Sequence, residues 1–172
     1  MALTYTALAS VTVGSGGAAN IEFTSIPGTY TDLALMCSLR GSISNVTGKI
    51  TFNSNGSDYS YRFLSGNGSS TENGSGSATS SIQIYGLYNS SSYTASTFAN
   101  ALVHIPNYAS SNNKSVSIDT VSENNATGAY ASLGAGLWSN SAAITSIKID
   151  LNSAGTFVQY STATLYGIKN TV

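Results

Sequence analysis

The sequence predicts an all-β fold: an antiparallel β-sandwich of jelly-roll type with about eight to ten strands. Three observations predict it. Apolar residues fall into short runs alternating with polar ones, and no segment keeps a helical period beyond two turns. Turn formers separate these runs at roughly 10–15-residue intervals, and no helical segments lie between them to cover a parallel sheet. The 172 residues include 31 Ser, 19 Thr, 16 Asn and 17 Gly, yet also 11 Tyr, 5 Phe and one Trp. That much Ser and Gly without aromatics would mean disorder, whereas the rings and the alternation supply a core.

The elements follow in chain order. Residues 3–13 are β-prone and end at Gly14-Ser15-Gly16-Gly17. Segment 1–20 is therefore a first strand or an arm, and 21–172 is a single sandwich domain. Ile21-Glu22-Phe23 precedes the turn Ile26-Pro27-Gly28, where proline sets φ. In the strand 30–40, Leu33, Leu35, Cys37 and Leu39 point one way, and Ala34, Met36 and Ser38 the other. Lys49–Leu64 is predicted to be a hairpin turning at Asn55-Gly56, with Tyr59, Tyr61 and Phe63 on one face. Residues 65–81 contain no large apolar side chain and are predicted to form a long loop. Further strands are expected near 82–87, 97–105, 115–122, 130–137, 144–151 and 157–168. Connections of mixed length favour a jelly roll over a simple meander.

Charge excludes several function classes. Only six basic and seven acidic residues occur, scattered singly, for a net charge of −1. No basic stripe exists to neutralise phosphates, so no nucleic-acid partner is expected. No Lys/Arg-rich amphipathic stretch suits a membrane surface, and apolar runs of about five to seven residues fall far short of a spanning helix. Cys37, the single cysteine, lies in phase with apolar neighbours and reads as a small buried hydrophobe. The N-terminus shows no secretory signal, so synthesis in a bacterial cytoplasm is expected and the abundant Asn-x-Ser/Thr triplets carry no glycan.

No constellation for chemistry emerges. His104, the single histidine, stands at a strand end without a Gly-x-Ser-x-Gly partner. The carboxylates Glu22, Asp32, Asp58, Glu72, Asp119, Glu123 and Asp150 fall on different predicted elements, with no glycosidase pair or metal loop among them. The expectation is no catalytic residue, no cofactor and no metal. Tyrosine is the enriched functional type. Tyr85, Tyr88 and Tyr93 bracket Asn89-Ser90-Ser91-Ser92, and Tyr108 follows Pro106-Asn107, so these rings are candidates for an interface or for stacking on sugars. The competing reading is that tyrosine is simply a good strand former with a half-buried ring. Scarce charge also suits a subunit repeated many times in one particle, because each surface charge then meets copies of itself.

Five segments resemble a family of small tailed-phage virion proteins from phages of cyanobacteria and other aquatic bacteria. They are Phe23–Leu33 (FTSIPGTYTDL), Ile50–Leu64 (ITFNSNGSDYSYRFL), Ile105–Ser115 (IPNYASSNNKS), Gly136–Ile147 (GLWSNSAAITSI) and Ala163–Ile168 (ATLYGI). The resemblance implies a jelly-roll structural component of the virion, acting as a capsid decoration (cement) protein or as part of a tail or fibre. It provides no catalytic residue, and within it Trp138 reads as a core or interface anchor. The leading expectation is a non-enzymatic, trimeric decoration protein on the capsid surface, bound to the major capsid protein at subunit junctions. The alternative is a tail-associated module that recognises surface glycans, and a glycan-cleaving enzyme ranks third.

Overall fold

A computed structural model describes residues 3–44, 47–87, 90–125 and 128–170, and among these the fold is all-β, in two antiparallel sheets forming a sandwich. The strands are β1 (Leu3–Thr12), β2 (Asn20–Phe23), β3 (Asp32–Leu39), β4 (Gly48–Phe52), β5 (Tyr59–Gly66), β6 (Thr71–Thr79), β7 (Ile82–Ile84), β8 (Ala99–Ile105), β9 (Lys114–Val121), β10 (Ala131–Trp138), β11 (Ile147–Leu151) and β12 (Thr162–Asn170). The larger sheet has the order β1-β12-β3-β8-β9-β10-β5-β6, and the smaller β2-β11-β4-β7. Segment 1–20 contributes an edge strand, because β1 pairs along its length with β12.

Period-2 patterning decides which side chains face inward. β9 alternates buried and exposed through all eight residues, and β11 buries Ile147, Ile149 and Leu151 while Lys148 and Asp150 stay half-exposed. Leu33, Leu35 and Leu39 of β3 and Val103 and Ile105 of β8 meet Ile50 and Phe52 of β4 and Ile147 and Ile149 of β11 in one core. Each such side chain contributes roughly 1.5–3 kcal/mol relative to exposure.

Three expectations need correction. Among the described residues there are twelve strands rather than about eight to ten. Residues 65–81 are not a long loop: β6 pairs with β5, and only Asn67–Ser70 turn between them. β6 has no large apolar side chain because its partner supplies the rings. An added Cβ at Gly74 would come within 2.6 Å of the Phe63 ring, and one at Gly76 equally close to the Tyr61 ring. The aromatic residues of β5 lie over the edge glycines and replace the side chains β6 lacks.

The Lys49–Leu64 hairpin does not form either. β4 belongs to the smaller sheet and β5 to the larger, so residues 53–58 carry the chain between layers. Asn53 and Ser54 do take positive φ, at 51° and 54°. Asn53 is, however, committed elsewhere: its Oδ1 accepts from the amides of Thr145 (2.8 Å) and Ser146 (3.1 Å), and its Nδ2 donates to Ala143 O at 2.8 Å. The Tyr59 hydroxyl accepts from Phe52 N at 2.7 Å, satisfying an amide that a hairpin partner would otherwise have bonded.

Candidate interaction surface

The larger sheet packs one face on the core and turns the other to solvent. Register places Met36 (β3), Leu102 (β8), Asp119 (β9), Leu133 (β10) and Leu64 (β5) side by side as successive cross-strand neighbours. Four of the five are apolar and exposed: Met36 by 43%, Leu102 by 42%, Leu133 by 63% and Leu64 by 55%. Val121 on β9, 44% exposed, points the same way two residues further along. Scattered surface leucines are ordinary, whereas here two exposed apolar pairs, Met36-Leu102 and Leu133-Leu64, flank Asp119 in one row.

Charge on this part of the face is confined to two strand residues. Arg62 stands on β5 beside Ala135, and Asp119 on β9 beside Leu133. Both are exposed, and neither forms an ion pair among the described residues. A groove of about 380 Å³ runs past Arg62, Ser75 and Ala135, and one of about 290 Å³ past Leu64, Asp119 and Leu133.

The tyrosines expected at an interface mostly do structural work. Tyr108 is fully buried, its hydroxyl donating to Pro27 O, and Trp138 is 1% exposed, packed against Phe52 and Tyr59. Neither reaches the surface, because each fills the core at a strand end. Tyr85 is half-buried, its ring stacked on Phe63 with centroids 3.5 Å apart. Tyr93 is half-buried against Gly128, where an added Cβ would fall 2.0 Å from the ring. Tyr88 lies outside the described residues. Proximity to Asn and Ser in sequence does not place a ring at the surface. An exposed apolar side chain is signalled instead by an apolar type at an outward position of an alternating strand, as at Leu102 and Leu133.

The reactive groups are engaged in the fold. His104 Nε2 lies 3.7 Å from Asp32 Oδ2, and Asp32 Oδ1 accepts from Asn107 N at 2.9 Å, so the imidazole faces a carboxylate rather than a hydroxyl nucleophile. Burial pushes the Cys37 thiol up to about 12, which leaves it protonated at neutral pH. Lys114 is buried, and its ammonium donates to the carbonyls of Ser110 (2.9 Å), Asn112 and Asn140 (3.4 Å); desolvation lowers its pKa. Arg40 donates through Nη1 to Thr94 O and Thr97 O, both at 2.8 Å, and through Nη2 to Tyr93 O at 3.2 Å. The carboxylates disperse: Glu123 accepts from the amides of Asn124 and Asn125, Asp58 from Ser57, and Asp150 pairs with Lys148 at 3.5 Å. Among the described residues no three His, Cys, Asp or Glu side chains group as metal ligands, and no helix is long and apolar enough to cross a membrane.

Comparisons with protein-family models, curated proteins and solved structures found no match to this chain.

Proposed function

We propose that the chain is a non-enzymatic structural subunit of a tailed-phage virion, a decoration protein that binds major-capsid subunits at their junctions on the capsid surface. The resemblance of the five segments motivates the phage assignment. The contact role rests on one observation, the outward apolar row Met36-Leu102-Leu133-Leu64 on a sheet face with few charges. Burying such a row against neighbours adds favourable area at each junction and raises the free energy of separating them. Few charges limit repulsion between repeated copies, so the chain suits a homo-oligomer such as a trimer.

Strand order supports a jelly-roll reading of the frame. β1, β2, β3 and β4 lie beside β12, β11, β8 and β7 in turn, alternating between sheets, as a long antiparallel ribbon does when rolled over itself. The hairpins β5-β6 and β9-β10 then extend the larger sheet beyond β8 and carry Leu64, Leu133, Arg62 and Asp119.

Locating the protein in an image reconstruction of its particle tests the reading. Hundreds of copies on the shell are expected, and a few copies confined to the tail overturn it. A tail position would favour the glycan-binding alternative. That alternative draws on a cleft of about 210 Å³ on the smaller sheet, where Lys49, Lys148, Asp150 and Asn55 offer both donors and acceptors. Binding on a glycan array that is lost on Lys49→Ala would support it.

A further inference from the structure

Arg62 and Asp119 sit on one sheet face with β10 between them, and each lacks an opposite charge among the described residues. Two strands across and two residues along separate them by about 12 Å, too far to pair within one chain. We propose that this face is a two-fold interface between two copies of the chain, in which Arg62 of each copy meets Asp119 of the other. The proposal rests on the self-association part of the reading above and names the partner of Leu64 and Leu133, the half of the apolar row nearest the charged pair.

A two-fold interface makes every contact twice, so it requires a surface complementary to itself. An axis lying between two opposed faces and bisecting the line from Arg62 to Asp119 forms both ion pairs at once. The same axis brings Leu133 of one copy to within about 3 Å, measured in the plane, of the position facing Leu64 of the other. Charged and apolar pairs are thus satisfied by one rotation. Axes through either charged residue would instead set like charges face to face.

The size of the contact bounds its strength. Two faces about 20 Å wide (six residues at about 3.4 Å) crossing at a steep angle overlap over roughly 440 Å², about half the roughly 800 Å² per partner of a standard interface, which suits a weak, concentration-dependent dimer. The axis crosses the strands of the two copies at about 70°, closer to the orthogonal than to the aligned class of sheet packing. Ser117, Ala135 and Ser75 beside the charged pair are small, so the leucines of the second copy can approach the backbone. A two-fold face cannot itself supply the contacts of a trimer, which would use other surfaces.

Sedimentation equilibrium of the full chain tests the proposal, with circular dichroism to confirm folding. The wild type is expected to dimerise. Arg62→Asp and Asp119→Arg should each weaken the dimer at least about tenfold, and the double variant should restore it to within about threefold of wild type. Leu133→Asp should also give monomers, and it serves as a second probe should either charge reversal misfold. A wild type that is monomeric at all concentrations, single variants that leave the dimer unchanged, or a double variant that fails to restore it would overturn the proposal. A trimer insensitive to all these changes would do the same while leaving the decoration reading intact. Loss of capsid occupancy with an unchanged solution dimer would implicate the capsid reading instead.

Discussion

The hydroxyl of Tyr59 lies 2.7 Å from the amide nitrogen of Phe52, so a side chain of the larger sheet completes hydrogen bonding at the end of a strand in the smaller one. The same oxygen stands 3.2 Å from the carbonyls of Phe52 and Asn55, to one of which it donates. Stacked on Trp138 and tilted against Phe52, the ring joins the layers just where the chain crosses between them. Burial raises the Tyr59 pKa above its ordinary value.

Tyr59→Phe should therefore cost about 1–3 kcal/mol, the penalty for leaving buried backbone groups unpaired while the ring stays packed. Urea unfolding should show a lower midpoint with an unchanged slope. An unchanged midpoint would mean that water satisfies Phe52 as well as the phenol does.

Gly74→Ala should loosen the β5-β6 hairpin specifically. The new methyl would enter the space of the Phe63 ring, itself stacked on Tyr85, so the ring must shift or the edge strand must lift. Amide hydrogen exchange is the measurement. Protection should fall in residues 71–79 while β8 and β9 at the sheet centre keep theirs.

Stability should fall as pH rises from 9 toward 12. Burial lifts the Cys37 thiol from 9.0 to about 12 in the folded chain. Above pH 9 the unfolded chain releases this proton and the folded chain keeps it, so each unit costs up to about 1.4 kcal/mol. Tyr59, Tyr93 and Tyr108, raised by burial, act in the same direction above pH 10. Cys37→Ala should flatten the dependence between pH 9 and 10. An unaltered slope in urea titrations of that variant would refute the assignment.

Arg40→Lys should destabilise the segment 93–97 by about 1–2 kcal/mol. The guanidinium reaches three carbonyls from two nitrogens, and a lysine ammonium on a flexible stem cannot reproduce that fork. Faster exchange of the Thr97 and Tyr93 amides, with a modest fall in Tm, would register the loss.

Much of the frame was legible because alternation is a local property. The inward residues of β3, β8, β9 and β11 follow from counting by two, and the Pro27 and Asn53 regions are turns as their residue types demand. β6 was missed because it borrows its apolar contacts from Phe63 and Tyr61, which belong to its neighbour. The Asn55-Gly56 signal marked a genuine change of direction but not a hairpin, because Asn53 bonds to Ala143, Thr145 and Ser146, which only the folded chain brings near. The same limit explains the tyrosines. Tyr108 carries a polar tip that suits a surface, yet its ring is fully buried, and Trp138 takes the core side of the two roles its type allows.

By itself the sequence determined that this chain forms strands, which side chains the clearly alternating strands hide, and that few charges remain outside. Those outcomes depend on the period of two along a strand and on the cost of burying charge, both properties of neighbouring residues. Tertiary structure alone decided which sheet each strand joins, and it set Met36, Leu102, Leu133 and Leu64 in one row although nearly a hundred positions separate Met36 from Leu133. Strand pairing is a non-local choice, made by register and by which layers close over a common core, and the exposed apolar row exists only once it has been made.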